Sequence, residues 1–380
     1  MLKKIAAALL CVLLLANTAA ALTDRPVAPL NGTPLVRTRD TGTFAFAVFG
    51  DFRPSRRDRP YPAVYRQILG EIGMIAPDFV MSTGDAYYGY GGSFQKFKNE
   101  IDYFLDTVRP LGVPLFNAIG NHEVAGNPER AGYVAERLGR FYGSFDFGNS
   151  HFIMLNTEEK DREGAIAGAQ LEWLRKDLAA NKGAAHIFVF MHRPLFSALN
   201  ERPAEGNEVV HALFREYKVN TVFAGHEHLY HEDIRDGVRY IITGGGGAPL
   251  YQPPQKGGFF HYLLVTVKGS EVAVEVRSPY ALQTRIISGN DGFEPKAECE
   301  VINISPAGLS LRNLSFRMPG AAADRYRVKA VAISKRENIT DHKARARQVK
   351  DNGDGTSTVS VETELPKNGA IRVTVEAGPE

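Results

Sequence analysis

Apolar runs that end in a polar loop recur along the first two thirds of the chain. The run Thr43–Phe49 leads into Gly50-Asp51, and the run Phe79–Met81 leads into Gly84-Asp85. Continuous apolar runs of this length are typical of strands buried on both faces. The same order recurs in Gly120-Asn121-His122-Glu123, Val189-Phe190-Met191-His192 and Gly225-His226-Glu227-His228. We therefore expect polar side chains where each of these buried strands ends.

Segments with helical spacing of apolar residues separate these strands. Helices are predicted near residues 64–75, 94–108, 169–179 and 208–217. Asp51 and Asp85 are 34 residues apart, and Asp85 and Asn121 are 36 residues apart. These separations suit successive strand–helix–strand units of a parallel sheet. The polar stretches are then expected to gather along one edge of that sheet.

The last part of the chain has a different pattern. Beyond about residue 290, apolar and polar positions alternate and helical spacing is absent, which favours a small β-rich C-terminal module. Within it, Asp351–Gly355 is interpreted as a hairpin turn rather than a calcium loop. Before it, the glycine run Gly244–Gly247 is interpreted as a tight turn between strands, with a backbone anion cradle as the alternative.

Composition places the chain among soluble globular proteins. It has 380 residues, of which 44% are hydrophobic and 23% charged, enough for one large or two ordinary domains. Residues 1–21 combine Lys3 and Lys4 with a short apolar run and a small-residue end, the pattern of a secretory signal peptide. Residues 22–42 are interpreted as an extended lead-in. We expect a secreted or periplasmic protein without stable membrane insertion after cleavage, with a single N-terminal anchor as the alternative.

Cleavage of this segment would change both charge and cysteine content. It would remove two lysines and no acidic residue, so the formal net charge of +2 would fall to about zero. A nucleic-acid partner is therefore not expected. Cys299 would remain as the single cysteine, so no intrachain disulfide is expected either.

The polar stretches together contain the residue types that bind two metal ions. Carboxylate, amide and imidazole groups suit hard and borderline ions, and one carboxylate can serve both. We interpret Asp85 as that shared ligand. The two predicted ligand sets are Asp51, Asp85, Tyr88 and His228, and Asp85, Asn121, His192 and His226. A hydroxide bridging such ions is the expected nucleophile for hydrolysis of a phosphate ester.

These stretches resemble the motifs of the calcineurin-like metallophosphoesterases, and within them the purple acid phosphatase branch. That branch has the pattern GDxG, GDxxY, GNH(D/E), VxxH and GHxH, and four of the five motifs match in order within about residues 44–267. The resemblance implies a four-layer α-β-β-α sandwich of two mixed sheets, and it agrees with both ligand sets. The predicted domains are a metallophosphoesterase domain at residues 43–289 and the β-rich module at residues 290–380.

The first motif departs from the branch, because Arg53 stands where the branch has glycine. A guanidinium cannot serve as an ordinary metal ligand, and we interpret Arg53 as a contact to the substrate phosphate. The resemblance implies that Tyr88 takes the place of an iron-binding tyrosine, which favours Fe3+ together with Fe2+, Zn2+ or Mn2+. It also implies that His122 protonates the leaving oxygen or holds phosphate. Glu123 and Glu227 are expected beside the ligands.

The function hypothesis is therefore an exported dinuclear phosphoesterase, similar to acid phosphatases, that hydrolyses small-molecule phosphate monoesters. A phosphodiesterase with the same metals is the alternative, and it differs in whether a second substituent fits over the site. A non-catalytic binding protein that keeps the fold is a further alternative, which the departure at Arg53 supports.

Overall fold

The computed structural model describes residues 27–36, 42–199, 206–320, 326–333 and 339–378. The predicted signal peptide, residues 1–21, lies outside the described residues. No helix in this described part has the length and hydropathy needed to cross a membrane. Its strands β1–β11 are Thr43–Phe49, Phe79–Ser82, Leu115–Asn117, Gly143–Phe147, Ser150–Met154, His186–Phe190, Thr221–Ala224, Tyr230–Arg235, Val238–Thr243, Tyr262–Lys268 and Glu271–Arg277.

The remaining strands and the helices follow the same chain order. Strands β12–β19 are Leu282–Ser288, Lys296–Asn303, Leu309–Pro319, Tyr326–Ile333, Ile339–His342, Ala344–Asp351, Thr356–Leu365 and Gly369–Ala377. Helices α1–α6 are Ala63–Ile75, Phe94–Val108, Asn121–Val124, Pro128–Leu138, Gly168–Ala180 and Asn207–Glu216. The chain forms two compact units, and the second takes Val64–Pro77, Leu111–Val113 and the part from Val276 onward. The domain boundaries at residues 43 and 290 stay predictions.

Two mixed sheets form the first unit. One has the order β11-β10-β1-β2-β3, with β1, β2 and β3 parallel and β10 antiparallel to β1. The other has the order β4-β5-β6-β7-β9-β8, with β5, β6, β7 and β9 parallel and both edge strands antiparallel. The parallel strands of each sheet therefore end in loops on one side, as the spacing of the polar stretches predicts.

The two-residue period of a strand explains how the layers pack. In β6, Phe188 and Phe190 enter the core between the two sheets, whereas Ile187 and Val189 enter the core beneath helices α5 and α6. The ring centroids of Phe46 in β1 and Phe188 lie 5.3 Å apart across the sheets. Burying such a side chain contributes about 2 kcal/mol to folding. The predicted α/β sandwich of two mixed sheets is confirmed.

Helix α2 supports the loops that follow β1 and β2. Its N-terminus is capped by Ser93, whose side chain accepts a hydrogen bond from the backbone N–H of Lys96. The Phe104 ring lies 6.0 Å from Phe52 and 6.2 Å from Tyr87, both of which are buried. The apolar face of this helix therefore packs under the segments that contain Asp51 and Asp85.

The second unit is rich in strands, as the alternating pattern predicts. Its antiparallel sheets have the orders β12-β13-β19-β15-β16 and β14-β18-β17. Helix α1, although it follows β1 in the chain, belongs to this unit: the Glu71 carboxylate accepts a hydrogen bond from the N–H of Tyr280 at 2.7 Å. The segment between β17 and β18 is the predicted hairpin turn, and Asp354 at its tip pairs with Arg317 at 2.6 Å.

Candidate metal centre

Polar loops from both sheets of the first unit meet at one place. The backbone N–H of Asp51 donates to the carbonyl of Gly84 at 3.0 Å, which joins the loops after β1 and β2. The Asp51 carboxylate accepts hydrogen bonds from the backbone N–H of His226 at 2.9 and 3.1 Å, which joins the two sheets. The backbone N–H of Gly225 donates to the carbonyl of His192 at 2.9 Å. These contacts connect four of the five predicted polar stretches, namely those that contain Asp51, Asp85, His192 and His226.

Three of the predicted ligands have strained backbone conformations. The φ angles of Asp51, Asp85 and His226 are 57°, 58° and 70°, in the left-handed region that side chains other than glycine disfavour. Such conformations cost on the order of 1–3 kcal/mol each and cluster at functional sites. The fold therefore holds these side chains in place at an energetic cost.

The first group of ligands consists of Asp51, Asp85 and His228, whose ligating atoms all lie within 4.8 Å of one another. His228 Nδ1 lies 2.5 Å from the carbonyl oxygen of Pro249, which can only accept a hydrogen bond. The proton of this imidazole is therefore on Nδ1, and Nε2 presents its lone pair 3.4 Å from Asp51 Oδ1. The Tyr251 ring stacks on the imidazole ring of His228, with ring centroids 4.1 Å apart.

The second group is tighter and contains four acceptor atoms. Asn121 Oδ1 lies 2.9 Å from His192 Nε2 and 3.0 Å from His226 Nδ1, and the two imidazole nitrogens are 3.2 Å apart. His192 Nε2 is also 3.3 Å from Asp85 Oδ1. The Nδ1 of His192 donates to the carbonyl of Thr83 at 2.8 Å, which turns Nε2 toward the group. Asp85 therefore lies in both groups, and its role as the shared ligand stays a prediction.

These distances fit a bound cation. Neighbouring ligands around a six-coordinate ion with bonds of about 2.1 Å lie roughly 3.0 Å apart. With the His192 proton on Nδ1, the Nε2 lone pair and the Asn121 amide oxygen would repel each other at 2.9 Å. Either a second proton on Nε2 or a metal ion bound by both atoms removes this repulsion. The charge balance agrees, because Asp85 and Asp51 raise the pKa of His192 although its burial works in the opposite direction. A metal ion would take the place of that proton.

His122 and Glu123 support Asp85 from helix α3. The backbone N–H of His122 donates to Asp85 Oδ1 at 3.0 Å, and its Nδ1 donates to the carbonyl of Tyr88. The other ring nitrogen of His122, Nε2, lies 3.7 Å from Asp85 Oδ2. The Glu123 carboxylate accepts hydrogen bonds from the N–H groups of Asp85, Ala86 and Gly120 at 3.0, 2.6 and 2.7 Å. Burial lowers the pKa of His122 to about 4, whereas burial and the nearby Asp85 raise that of Glu123 to about 7.

Two predicted site residues lie beside the groups. Arg53 is largely buried, and its Nε lies 3.6 Å from Asp85 Oδ2 without a hydrogen-bond partner in the described residues. Burial would raise the pKa of Asp85, but the charges of His192, His122 and Arg53 outweigh it and lower that pKa. The Tyr88 ring lies next to His122, with centroids 5.9 Å apart. Ligation by Tyr88 and phosphate contact by Arg53 stay predictions.

The glycine run and Glu227 have structural roles around the site. Gly246 donates to the carbonyl of Gly50 at 2.9 Å, and a Cβ at Gly246 would come within 2.4 Å of that carbonyl oxygen. The run therefore lets two backbones approach closely beneath Asp51. Glu227 accepts a hydrogen bond from the N–H of Ala198 at 2.9 Å.

Three residues near the candidate ligands, Tyr90, Arg193 and Glu158, are not part of the motifs that the sequence analysis identified. Tyr90 accepts a hydrogen bond from Asn121 Nδ2 at 2.9 Å. Arg193 lies with Nη1 2.9 Å from His226 Nε2, and its Nε contacts the Glu158 carboxylate. The positions of Arg193, directly after His192, and of Tyr90, two residues after Tyr88, are the only hints that the sequence offers.

Comparisons with known proteins agree with this geometry. Residues 44–230 match the family model of the calcineurin-like phosphoesterases, and the chain belongs to this superfamily. It is similar to tartrate-resistant acid phosphatase type 5 of Homo sapiens, with 25% identity over 61% of this chain and 82% of that protein. It is also similar to purple acid phosphatase 23 of Arabidopsis thaliana, with 29% identity over 36% of this chain and 34% of that protein.

Within the superfamily, the chain falls in the branch that resembles purple acid phosphatases. A further relative, the probable inactive purple acid phosphatase 27 of Arabidopsis thaliana, is 26% identical over 46% of this chain and 35% of that protein. Among solved structures, a dimetal phosphatase from Danio rerio gives a TM-score of 0.47 at 16% identity and covers 62% of this chain and all of that one. At the level of the family, the sequence relatives support a metal-dependent hydrolase of the phosphatase type.

Proposed function

We propose that this chain is an exported phosphatase with two metal ions that hydrolyses phosphate monoesters of small molecules. The observation that carries the proposal is the second ligand group, in which Asp85, Asn121, His192 and His226 have the spacing of ligands around one ion. Asp85 also belongs to the first group, with Asp51 and His228. Two ions held in this way would activate a shared water molecule and bind oxygens of the phosphate ester.

The protein supplies the remaining parts of the reaction. His122 keeps its Nδ1 proton on the carbonyl of Tyr88, so its Nε2 faces the site and can hold phosphate or pass a proton to the leaving oxygen. Arg53 has an unpaired, largely buried Nε beside Asp85 within the described residues and can donate to a phosphate oxygen. Glu123 fixes the loop of Asp85 through its three backbone hydrogen bonds.

We further propose that the first ion is Fe3+, with Fe2+, Zn2+ or Mn2+ as the second, because Tyr88 follows Asp85 at the spacing of the family's iron-binding tyrosine. The protein as purified should then be coloured, and Tyr88→Phe should abolish the absorption band while the total metal content stays near that of the wild type. A wild-type spectrum in Tyr88→Phe would refute ligation by this tyrosine. Export is tested separately, by N-terminal sequencing of the protein recovered from outside the cytoplasm.

The decisive experiment measures hydrolysis of a chromogenic phosphate monoester and of the matching diester from acid to neutral pH. Asp85→Asn keeps the shape of the side chain but loses the shared charge, so we expect turnover to fall at least about 100-fold. Asp233→Asn, a surface residue paired with Arg235, is the matched control and should keep full activity. Preference for the diester would favour a phosphodiesterase. Two bound metals without turnover of either ester would favour a non-catalytic binding protein.

A further inference from the structure

An arginine and a buried glutamate lie against the second ligand group. Arg193 follows His192, and its Nε lies 3.0 and 3.1 Å from the two carboxylate oxygens of Glu158. The Glu158 side chain is 1% exposed and also accepts a hydrogen bond from Thr157 Oγ1 at 2.9 Å. The backbone N–H of Arg193 donates to that same hydroxyl oxygen at 3.0 Å. The guanidinium is therefore held at its Nε side by a fixed, buried anion.

The opposite end of the guanidinium contacts His226 at Nε2, the ring nitrogen that is not part of the ligand group. Arg193 Nη1 lies 2.9 Å from His226 Nε2, and the side chain is 25% exposed. Nη2 has no hydrogen-bond partner among the described residues, and a guanidinium can only donate. Arg193 thus presents unused donors at an open edge of the ligand group.

A purely structural ion pair accounts for only half of this arrangement. A buried Glu158 needs a cation, and Arg193 Nε supplies it. It does not explain the contact with His226: if Nδ1 of this histidine holds a metal ion, Nε2 carries the ring proton, so two donors, Nη1 and Nε2, would face each other at 2.9 Å and repel. An anion bound between the guanidinium and the metal ions removes that repulsion.

We propose that Arg193 binds the phosphate group of the substrate, that Glu158 positions it, and that this contact favours monoester dianions over singly charged diesters. The inference rests on the proposed phosphoesterase function and assigns a residue that determines its substrate class. A planar guanidinium can donate two parallel hydrogen bonds to a phosphate with two free terminal oxygens on that side. A diester has one negative charge fewer and carries a second substituent where such an oxygen would be.

The test separates phosphate binding from catalysis. The affinity for inorganic phosphate is measured by calorimetry on full-length protein reconstituted to equal metal content, for wild type, Arg193→Met, Arg193→Lys and Glu158→Gln. We expect Arg193→Met to raise the dissociation constant about 10- to 100-fold, as for loss of hydrogen bonds to a charged group. Arg193→Lys and Glu158→Gln should lie between. Arg175→Met, at a surface arginine that pairs with Glu172, is the matched control and should bind as wild type does.

Ester kinetics then test the substrate class. We expect kcat/KM of Arg193→Met to fall more for the monoester than for the matching diester, by at least about tenfold in the ratio. Equal losses for both esters would overturn the discrimination by charge. Loss of bound metal in Arg193→Met, with unchanged phosphate affinity at equal metal content, would overturn the proposal, because Arg193 would then only orient His226. If the wild type hydrolyses neither ester but binds phosphate more tightly than Arg193→Met, the phosphoesterase function fails while the phosphate site stands.

Discussion

The hydroxyl group of Tyr90 sets the orientation of the Asn121 amide, and its removal should weaken metal binding. Asn121 Nδ2 lies 2.9 Å from the Tyr90 hydroxyl, which leaves Oδ1 directed at His192 and His226. Without this contact, the amide can rotate by half a turn and present its NH2 group to the ligands. Tyr90→Phe therefore removes a constraint on a predicted ligand without changing any ligand.

The loop that contains Tyr90 is firmly held, so the loop cannot easily adjust to the loss. Arg57 Nη2 donates to the carbonyls of Tyr90 and Gly91 at 2.8 Å each, and Arg130 Nη2 donates to that of Gly91 at 2.8 Å. A neutral hydrogen bond contributes about 0.5–1.5 kcal/mol. Because Tyr90 is 40% exposed, water can replace part of the contact. We therefore expect a loss of about 0.5–1 kcal/mol, or about 2- to 5-fold in the metal dissociation constant.

The assay is competition for metal between the protein and a chromogenic chelator, at fixed pH and salt. Tyr103→Phe is the matched control, because Tyr103 is also partly exposed and its hydroxyl has no hydrogen-bond partner in the described part of the chain. We expect Tyr103→Phe to retain metal as the wild type does. An unchanged dissociation constant in Tyr90→Phe, with a normal folded spectrum, would show that Asn121 keeps its orientation without Tyr90 and would refute the reasoning.

Two further perturbations test other parts of the first unit. Burial lowers the pKa of His151, but Asp177 and Asp146 outweigh it and raise that pKa. The resulting stabilisation is present below about pH 6.5 and is lost as pH rises through the raised pKa, so His151→Gln should lower the free energy of unfolding in urea more at acidic than at alkaline pH. Gly225→Ala would place a Cβ 2.4 Å from Asp51 Oδ2 and should reduce metal retention at least about tenfold, whereas an added Cβ at Gly183 meets no atom within 4 Å and Gly183→Ala should leave retention unchanged.

The sequence predicts the strands of the first unit and the positions of the candidate ligands at their ends, because both depend on local pattern. Helix α2 has the predicted bounds, and β1 begins and ends at the predicted residues. The largely apolar run before Asn121 extends from Val113 to Ile119, but strand β3 spans only Leu115–Asn117. Ala118 and Ile119 are apolar and buried, but they belong to the turn that leads into Asn121. Burial at these two positions therefore does not indicate a strand.

Other features depend on contacts that no local pattern encodes. Glu158 and Arg193 are 35 residues apart, and neither lies at a position that the spacing of the motifs makes special. Tyr90 is an exposed tyrosine in a glycine-rich loop, a type of residue that commonly has no partner. Helix α1 has an ordinary amphipathic pattern, which does not indicate that it packs with the second unit. Long-range partners of polar groups are therefore the part of a site that a single sequence leaves open.

The glycines that precede Asn121 and His226 have a reason beyond turn formation. A Cβ at Gly120 would lie 2.4 Å from Asp85 Oδ1, and a Cβ at Gly225 would lie 2.4 Å from Asp51 Oδ2. In both cases the glycine of one motif makes room for the carboxylate of another. The motifs are thus coupled in space: the ligand in one loop can occupy its position only if a different loop lacks a side chain there. This coupling explains why the ordered set of motifs identifies the site, whereas any one Gly-Asp pair indicates only a turn.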